Sequence, residues 1–279
     1  MRESKIHQRI RTHGPKQGYC AICRRFGSLT REHIPPKSCG NISAVKLRAL
    51  LGSSEAKLGS SIVQGGLNYR STCSDCNNFW LGQKYGLSLT EFISTVTKYA
   101  NSLVEHNLAL PLERDFVAEP QKIARAVMGC IMAGNAIDLV ESPRPHAHIY
   151  KLMHDYFFDS NASLPEEFEI YYWFYPSKEV KVLKAMTTCF EITKCCVSYE
   201  LIKFFPLAFM IVWREEDIKL HLPKLIRDRH MSVDTKDYLT VKFRQFPATS
   251  FPEMPGKRGT VLFNNEQATV GENFSKPQV

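Results

Sequence analysis

The chain has 279 residues, 44% hydrophobic and 23% charged, which suits one large globular domain or two modest ones. No apolar run reaches the roughly 18 charge-free residues of a membrane span, and Met1-Arg2-Glu3-Ser4-Lys5 opens a polar stretch unlike a secretory signal. The formal net charge is +8, and it is unevenly placed: the first 110 residues carry 15 Lys/Arg against 6 Asp/Glu, the remaining 169 carry 21 against 22. A polyanion such as DNA or RNA is the natural partner of such a face, and a plain solvated surface is the alternative.

Residues 1–19 contain Lys5, Arg9, Arg11 and Lys16, with Gly14-Pro15 breaking any helix, and predict a flexible lead-in. Tyr19 to Cys23 reads as a tight knuckle. Ser28 to Ile34 reads as a short strand stopped by Pro35-Pro36. Residues 39–66 look like an insertion, in which Ala44, Leu47, Leu50 and Leu51 have the spacing of a short helix. Gly65-Gly66 predicts a turn into a second strand, Leu67 to Thr72, and Cys73 to Lys84 a knuckle opening a helix. Residues 88–107 and 123–140 have amphipathic helical spacing.

Beyond about residue 145 the texture changes. Tyr150 to Phe158 predicts a short helix. Glu167–Tyr175, Val180–Ile192 and Cys195–Trp213 are rich in β-branched and aromatic residues, as strands are, and Pro206 divides the last. From about 246 the chain is rich in Pro, Gly and Asn. The expectation is an α+β protein with an N-terminal unit over 1–110, a strand-rich α+β region over 111–250 and a loosely ordered tail over 251–279.

The nine cysteines include two Cys-x-x-Cys pairs, Cys20/Cys23 and Cys73/Cys76. Two such pairs complete a tetrahedral zinc site, and four thiolates leave no open position, so the zinc would be structural. This favours a reducing, cytoplasmic setting over a disulfide framework, with Cys195-Cys196 expected buried in a strand. His146, His148 and His154 lack partner ligands at matching spacing and do not make a second metal set.

Between the pairs lies Arg31-Glu32-His33-Ile34-Pro35-Pro36. A neutral imidazole takes a proton from water near pH 7, which makes His33 a candidate general base. Glu32 and Asn77 offer the hard oxygens that Mg²⁺ or Mn²⁺ prefers. Asn68 on the second strand is a candidate to fix the His33 ring, with Asn41 an alternative there and Asn78 an alternative to Asn77. Arg31, Lys37, Arg70 and Lys84 are candidate phosphate contacts.

Cys-x-x-Cys, Glu-His-Ile-Pro-Pro, Gly-Gly-Leu-Asn and Cys-x-x-Cys-Asn, in this order over residues 18–86, resemble the zinc-stapled HNH nucleases of ββα-metal fold. The step from Asn68 to Asn77 is similar to that between the last two motif residues in the HNH domain of RNA-guided nucleases. The resemblance implies that His33 activates water, Asn68 orients it, and Glu32 with Asn77 holds one divalent ion against the scissile phosphate. The last motif position is Asn where many members have His, and the 39–66 insertion is long for the family. The implied protein is a metal-dependent endonuclease acting on nucleic acid, DNA ahead of RNA. Its layout is analogous to restriction or phage-defence effectors, and the region 111–250 would recognise substrate, sense an activating ligand or make oligomer contacts. The rivals are a non-catalytic zinc-knuckle module that only binds nucleic acid, and an interaction protein with the zinc as scaffold.

Overall fold

The computed structural model describes residues 12–50, 61–105, 111–134, 148–191, 194–213, 220–262 and 268–273. Three short strands come first: β1 (Gln17–Tyr19), β2 (Phe26–Ser28) and β3 (Thr30–His33). They are followed by β4 (Val45–Ala49), β5 (Ser61–Val63) and β6 (Asn68–Thr72), then a π-helix over Asp75–Lys84 and α1 (Gly86–Glu105). β7 (Glu113–Ala118), α2 (Pro120–Ala133) and α3 (His148–Phe158) lead to the long strands β8 (Phe168–Phe174), β9 (Val180–Phe190), β10 (Cys195–Phe204) and β11 (Leu207–Trp213). β12 (Asp237–Lys242), β13 (Gly259–Leu262) and β14 (Ala268–Asn273) complete the α+β order.

The helical and long-strand expectations hold closely. α1 covers the first amphipathic stretch, β8 to β11 follow the β-branched runs, and the chain turns at Phe205-Pro206 between β10 and β11. α2 ends at Ala133, and the remainder of the expected 123–140 helix, like His146, falls largely outside the described residues. No described helix is long and apolar enough to cross a membrane.

An eight-stranded sheet runs in the order β5-β4-β14-β9-β10-β11-β8, with β13 also on β9, and every pairing in it is antiparallel. Two expectations fail in it. The 44–51 stretch is strand, because Val45 and Leu47 point inward at period two while Lys46 stays exposed. Within the described part of the expected tail, β14 fills the slot between β4 and β9, with Ala268, Thr269 and Val270 buried. Upstream of it, Glu253 is buried against Lys181 and Lys203, at 2.9 and 2.7 Å. A third correction concerns the cysteines. Cys196 is exposed and forms a cross-strand disulfide with Cys189.

α2 is buried on almost every side and supports the N-terminal strands from below. Gly129 permits this, since a Cβ there would meet Leu81 of the π-helix at 2.5 Å and Phe157 of α3 at 2.6 Å. The buried Arg125 guanidinium donates to the carbonyls of Gln121, Asp159 and Ala162 and stacks on Tyr156. Ser71 Oγ in β6 donates to Ala133 O at the end of α2, at 2.6 Å. One of two apolar clusters takes residues from Cys20 to Phe243, on both sides of residue 110.

Truncation after Leu262 removes β14 and leaves β4 and β9 with facing open edges. The expected result is a thermal midpoint lower by about 2 °C or more, or loss of soluble protein, by differential scanning fluorimetry, for about 1 kcal/mol or more of lost stability. An unchanged midpoint would show the tail to be dispensable.

Candidate metal centre and cationic face

The β1–β2 hairpin places the first cysteine pair in its turn. Arg24 N donates to Cys20 O at 3.0 Å and Cys20 N to Arg25 O at 2.9 Å, which curls the turn into a knuckle, with Arg24 at φ 61°. The second pair opens the π-helix, where Asn77 N donates to Cys73 O at 3.0 Å. Ala21 N donates to Ser71 O, and Cys73 N to Cys20 Sγ at 3.3 Å, so backbone bonds join the two knuckles.

The four cysteine sulfurs lie within 4.8 Å of one another, with Cys23 and Cys73 at 3.7 Å. Around a tetrahedral zinc with Zn–S bonds of about 2.3 Å the sulfurs stand about 3.8 Å apart, so the set fits such an ion. Their protons point the same way. Hydrogen bonds from Cys20 and Cys76 hold the Cys23 thiol far below its ordinary value, while the Cys23 bond pushes Cys20 up to about 11. Cys76 is pushed up by its bonds to the same two sulfurs. A dication bound among the sulfurs would favour the thiolate form of its ligands. This is the one cluster of three or more His, Cys, Asp or Glu side chains with metal-binding proximity among the described residues.

The knuckles flank a two-stranded ribbon. β3 and β6 pair antiparallel with His33 opposite Asn68, Glu32 opposite Tyr69 and Arg31 opposite Arg70. Strand alternation then divides the ribbon into two faces. Arg31, His33, Asn68 and Arg70 share one face. Glu32, Tyr69 and Ser71 share the other, against α2.

His33 is half-buried. Burial first, then the positive charges of Lys37 and Arg31, hold its pKa below the ordinary value, against a hydrogen bond with the Gly65 backbone. The ring is therefore neutral at pH 7 and able to accept a proton. Asn68 does not orient it by a direct bond. Asn68 Nδ2 donates instead to Gly66 O at 3.1 Å, and its Oδ1 is buried without a partner. The backbone of the 65–66 turn takes the orienting position expected of Asn68.

Asn41 is a clamp. Its Nδ2 donates to Pro35 O and Leu67 O, both at 2.7 Å, and its Oδ1 accepts from Leu67 N at 2.8 Å. This ties the end of β3 to the start of β6 across the long insertion. Gly66, at φ +92°, is required beneath it, since a Cβ there would lie 2.2 Å from Asn41 O.

Glu32 is displaced from its expected role. Its side chain is 7% exposed on the core face and is sensed by the buried Cys130 thiol of α2. Burial raises its pKa to about 8, against one hydrogen bond from the His33 backbone. Asn77 donates from Nδ2 to Thr30 Oγ1 at 2.9 Å and Arg31 O at 3.0 Å, which fastens the π-helix to the edge of β3. No hydrogen bond joins Glu32 to Asn77 among the described residues, and the Glu32 carboxyl lies on the core side. Asn78 is exposed.

Of the phosphate-contact candidates, Arg31 and Lys37 are exposed beside His33, and Arg70 is half-buried with one bond to Gly14 O at 3.4 Å. Arg31 and Arg70 face each other directly, an arrangement that costs repulsion unless an anion joins them. Lys84 is engaged elsewhere, donating to Ser160 Oγ at 2.8 Å and lying 4.2 Å over Trp80. Comparison with protein-family models, curated proteins and solved structures gives no match.

The raised Glu32 pKa carries a sign. The folded state holds a proton that the unfolded state releases above pH 4.5, so this group lowers stability as pH climbs from there to about 8. Glu32→Gln removes that dependence. Its stability advantage over wild type should grow from pH 5 to pH 8.5, reaching on the order of 1 kcal/mol or more in urea unfolding. A pH-independent difference would place the carboxyl in water rather than in the core.

Proposed function

We propose that the chain is an HNH-type endonuclease that hydrolyses phosphodiester bonds in nucleic acid, DNA ahead of RNA, with a structural zinc on Cys20, Cys23, Cys73 and Cys76. The observation that carries this reading is the exposed face of the β3–β6 ribbon, where a neutral imidazole stands among Arg31, Lys37 and Arg70. Such a face attracts a phosphodiester and offers one base beside it. His33 accepts the proton of an attacking water, a P–O bond forms, and the bond to the leaving oxygen breaks. Arg31, Lys37 and Arg70 balance the charge that grows on the phosphoryl oxygens.

A catalytic Mg²⁺ or Mn²⁺ belongs to the family that the motifs resemble, where it would offset charge on the leaving oxygen. Asn77 Oδ1, with no hydrogen bond among the described residues, is the oxygen that remains for it. Glu32 on the core face does not fit the second ligand position, and no step is assigned to the ion. That placement of Glu32 favours the rival reading, a module that binds nucleic acid without cutting it.

The test is supercoiled plasmid incubated with purified protein and Mg²⁺ or Mn²⁺, beside the His33→Ala form. Wild type should nick or linearise the plasmid, and His33→Ala should lose about 10²–10⁴-fold in rate while binding DNA as before. The wild-type rate should rise with pH and level off before neutrality, because the His33 pKa lies below its ordinary 6.5. Equal cutting by both proteins would remove His33 from the chemistry, and DNA binding without cutting by either would favour the rival.

A further inference from the structure

Beside the ribbon, a cavity of about 540 Å³ opens between the 35–45 segment, α1 and the end of the sheet where β9 begins and β10 finishes. Its size falls within the roughly 300–1,000 Å³ of small-molecule sites. None of its fifteen lining residues is acidic, and two are lysines, Lys98 and Lys178. Neither lysine makes an ion pair among the described residues. The hydroxyls of Ser94 and Thr97 line it too and make no side-chain hydrogen bond to a described residue. The lining also includes apolar residues, among them Ile93, Val180 and the half-buried Phe205.

We propose that this cavity binds a small organic anion carrying an aromatic ring, of nucleoside-monophosphate size. The two ammonium groups and the hydroxyls suit a phosphate, which neutral apolar ligands would leave unused. Phe205 offers a face on which a base can stack. Lys98 borders the cavity from α1, and Lys178 borders it from the approach to β9, near Phe205 at the end of β10, so cationic, hydroxyl and aromatic groups line one space. One wall is the strap from Pro35 to Asn41, and Asn41 is the clamp that joins β3 to β6. An occupant therefore braces the segment that follows His33. The binding claim does not depend on the nuclease reading, although the consequence for His33 does.

The test is isothermal titration of AMP, GMP, CMP, TMP and inorganic phosphate into the full chain, without added divalent ion. It is run on wild type, Lys98→Ala/Lys178→Ala, Phe205→Leu and His33→Ala. At least one monophosphate should bind with Kd below about 1 mM. The double lysine variant should weaken it by about tenfold per ammonium lost, at an unchanged thermal midpoint. Phe205→Leu should weaken the monophosphate and leave inorganic phosphate unaffected, and His33→Ala should bind as wild type does. A second titration in saturating oligothymidylate separates two sources of the same group. Displacement assigns the cavity to one nucleotide of a polynucleotide, and retention assigns it to a free nucleotide. No monophosphate binding below about 1 mM, or equal binding by the double lysine variant, would overturn the proposal. Because no cleavage is read, an inactive protein that binds AMP sinks the nuclease reading alone.

Discussion

Everything at the candidate site depends on four sulfurs meeting although 49 residues separate the inner pair of cysteines. A two-stranded ribbon is marginal in water by itself, and β3 with β6 has few residues to contribute. Closing the long loop between them costs chain entropy that such a short ladder does not offset. The knuckle bonds, the Asn41 clamp and the Ser71 contact to α2 share this burden. On the proposed reading a metal bound by thiolates supplies the rest, since its binding free energy is also folding free energy.

The ribbon divides its charges by face. Arg31, Arg70 and Lys37 crowd the outer side, and the repulsion among them favours an anion there and a neutral His33. The inner side holds Glu32 against Tyr69, where burial favours the protonated acid. Charge is handled differently in the sheet. Lys203 is fully buried yet bonded to Glu253 and to the carbonyl of Thr249, so it fixes the 249–253 segment and is not available as a site. Buried Lys203 is paired, whereas Arg31 and Lys37 at the ribbon and Lys98 and Lys178 at the cavity make no ion pair among the described residues.

Much of this was legible in the sequence, for physical reasons that differ by element. The cysteine pairs announce themselves through ligand spacing, and α1, α3 and β8 to β11 through periodicity long enough to be unambiguous. β4 was not legible, because Ala44, Leu47, Leu50 and Leu51 have helical spacing while Val45 and Leu47 alternate in the same short run, and the deciding partner β14 lies more than 200 residues away. The same separation hid the order in the tail. At the site, the two short strands were legible, while the register that sets His33 opposite Asn68 came from the structure. That adjacent residues of a strand face opposite ways was already enough to set Glu32 apart from His33. The Asn68 bond to Gly66 and the Asn41 clamp were not foreseeable, since both depend on the left-handed backbone of the Gly65-Gly66 turn. Nor was the π-helix, whose five-residue bonds leave no composition signal.

The central claim is that one metal ion, held by sulfur alone, ties the two knuckles together. X-ray absorption at the zinc edge on protein purified without added metal tests it directly. The account predicts about one zinc per chain with a first shell of four sulfurs near 2.3 Å and no lighter ligand. A shell containing nitrogen or oxygen, or protein that is folded and metal-free, would contradict it.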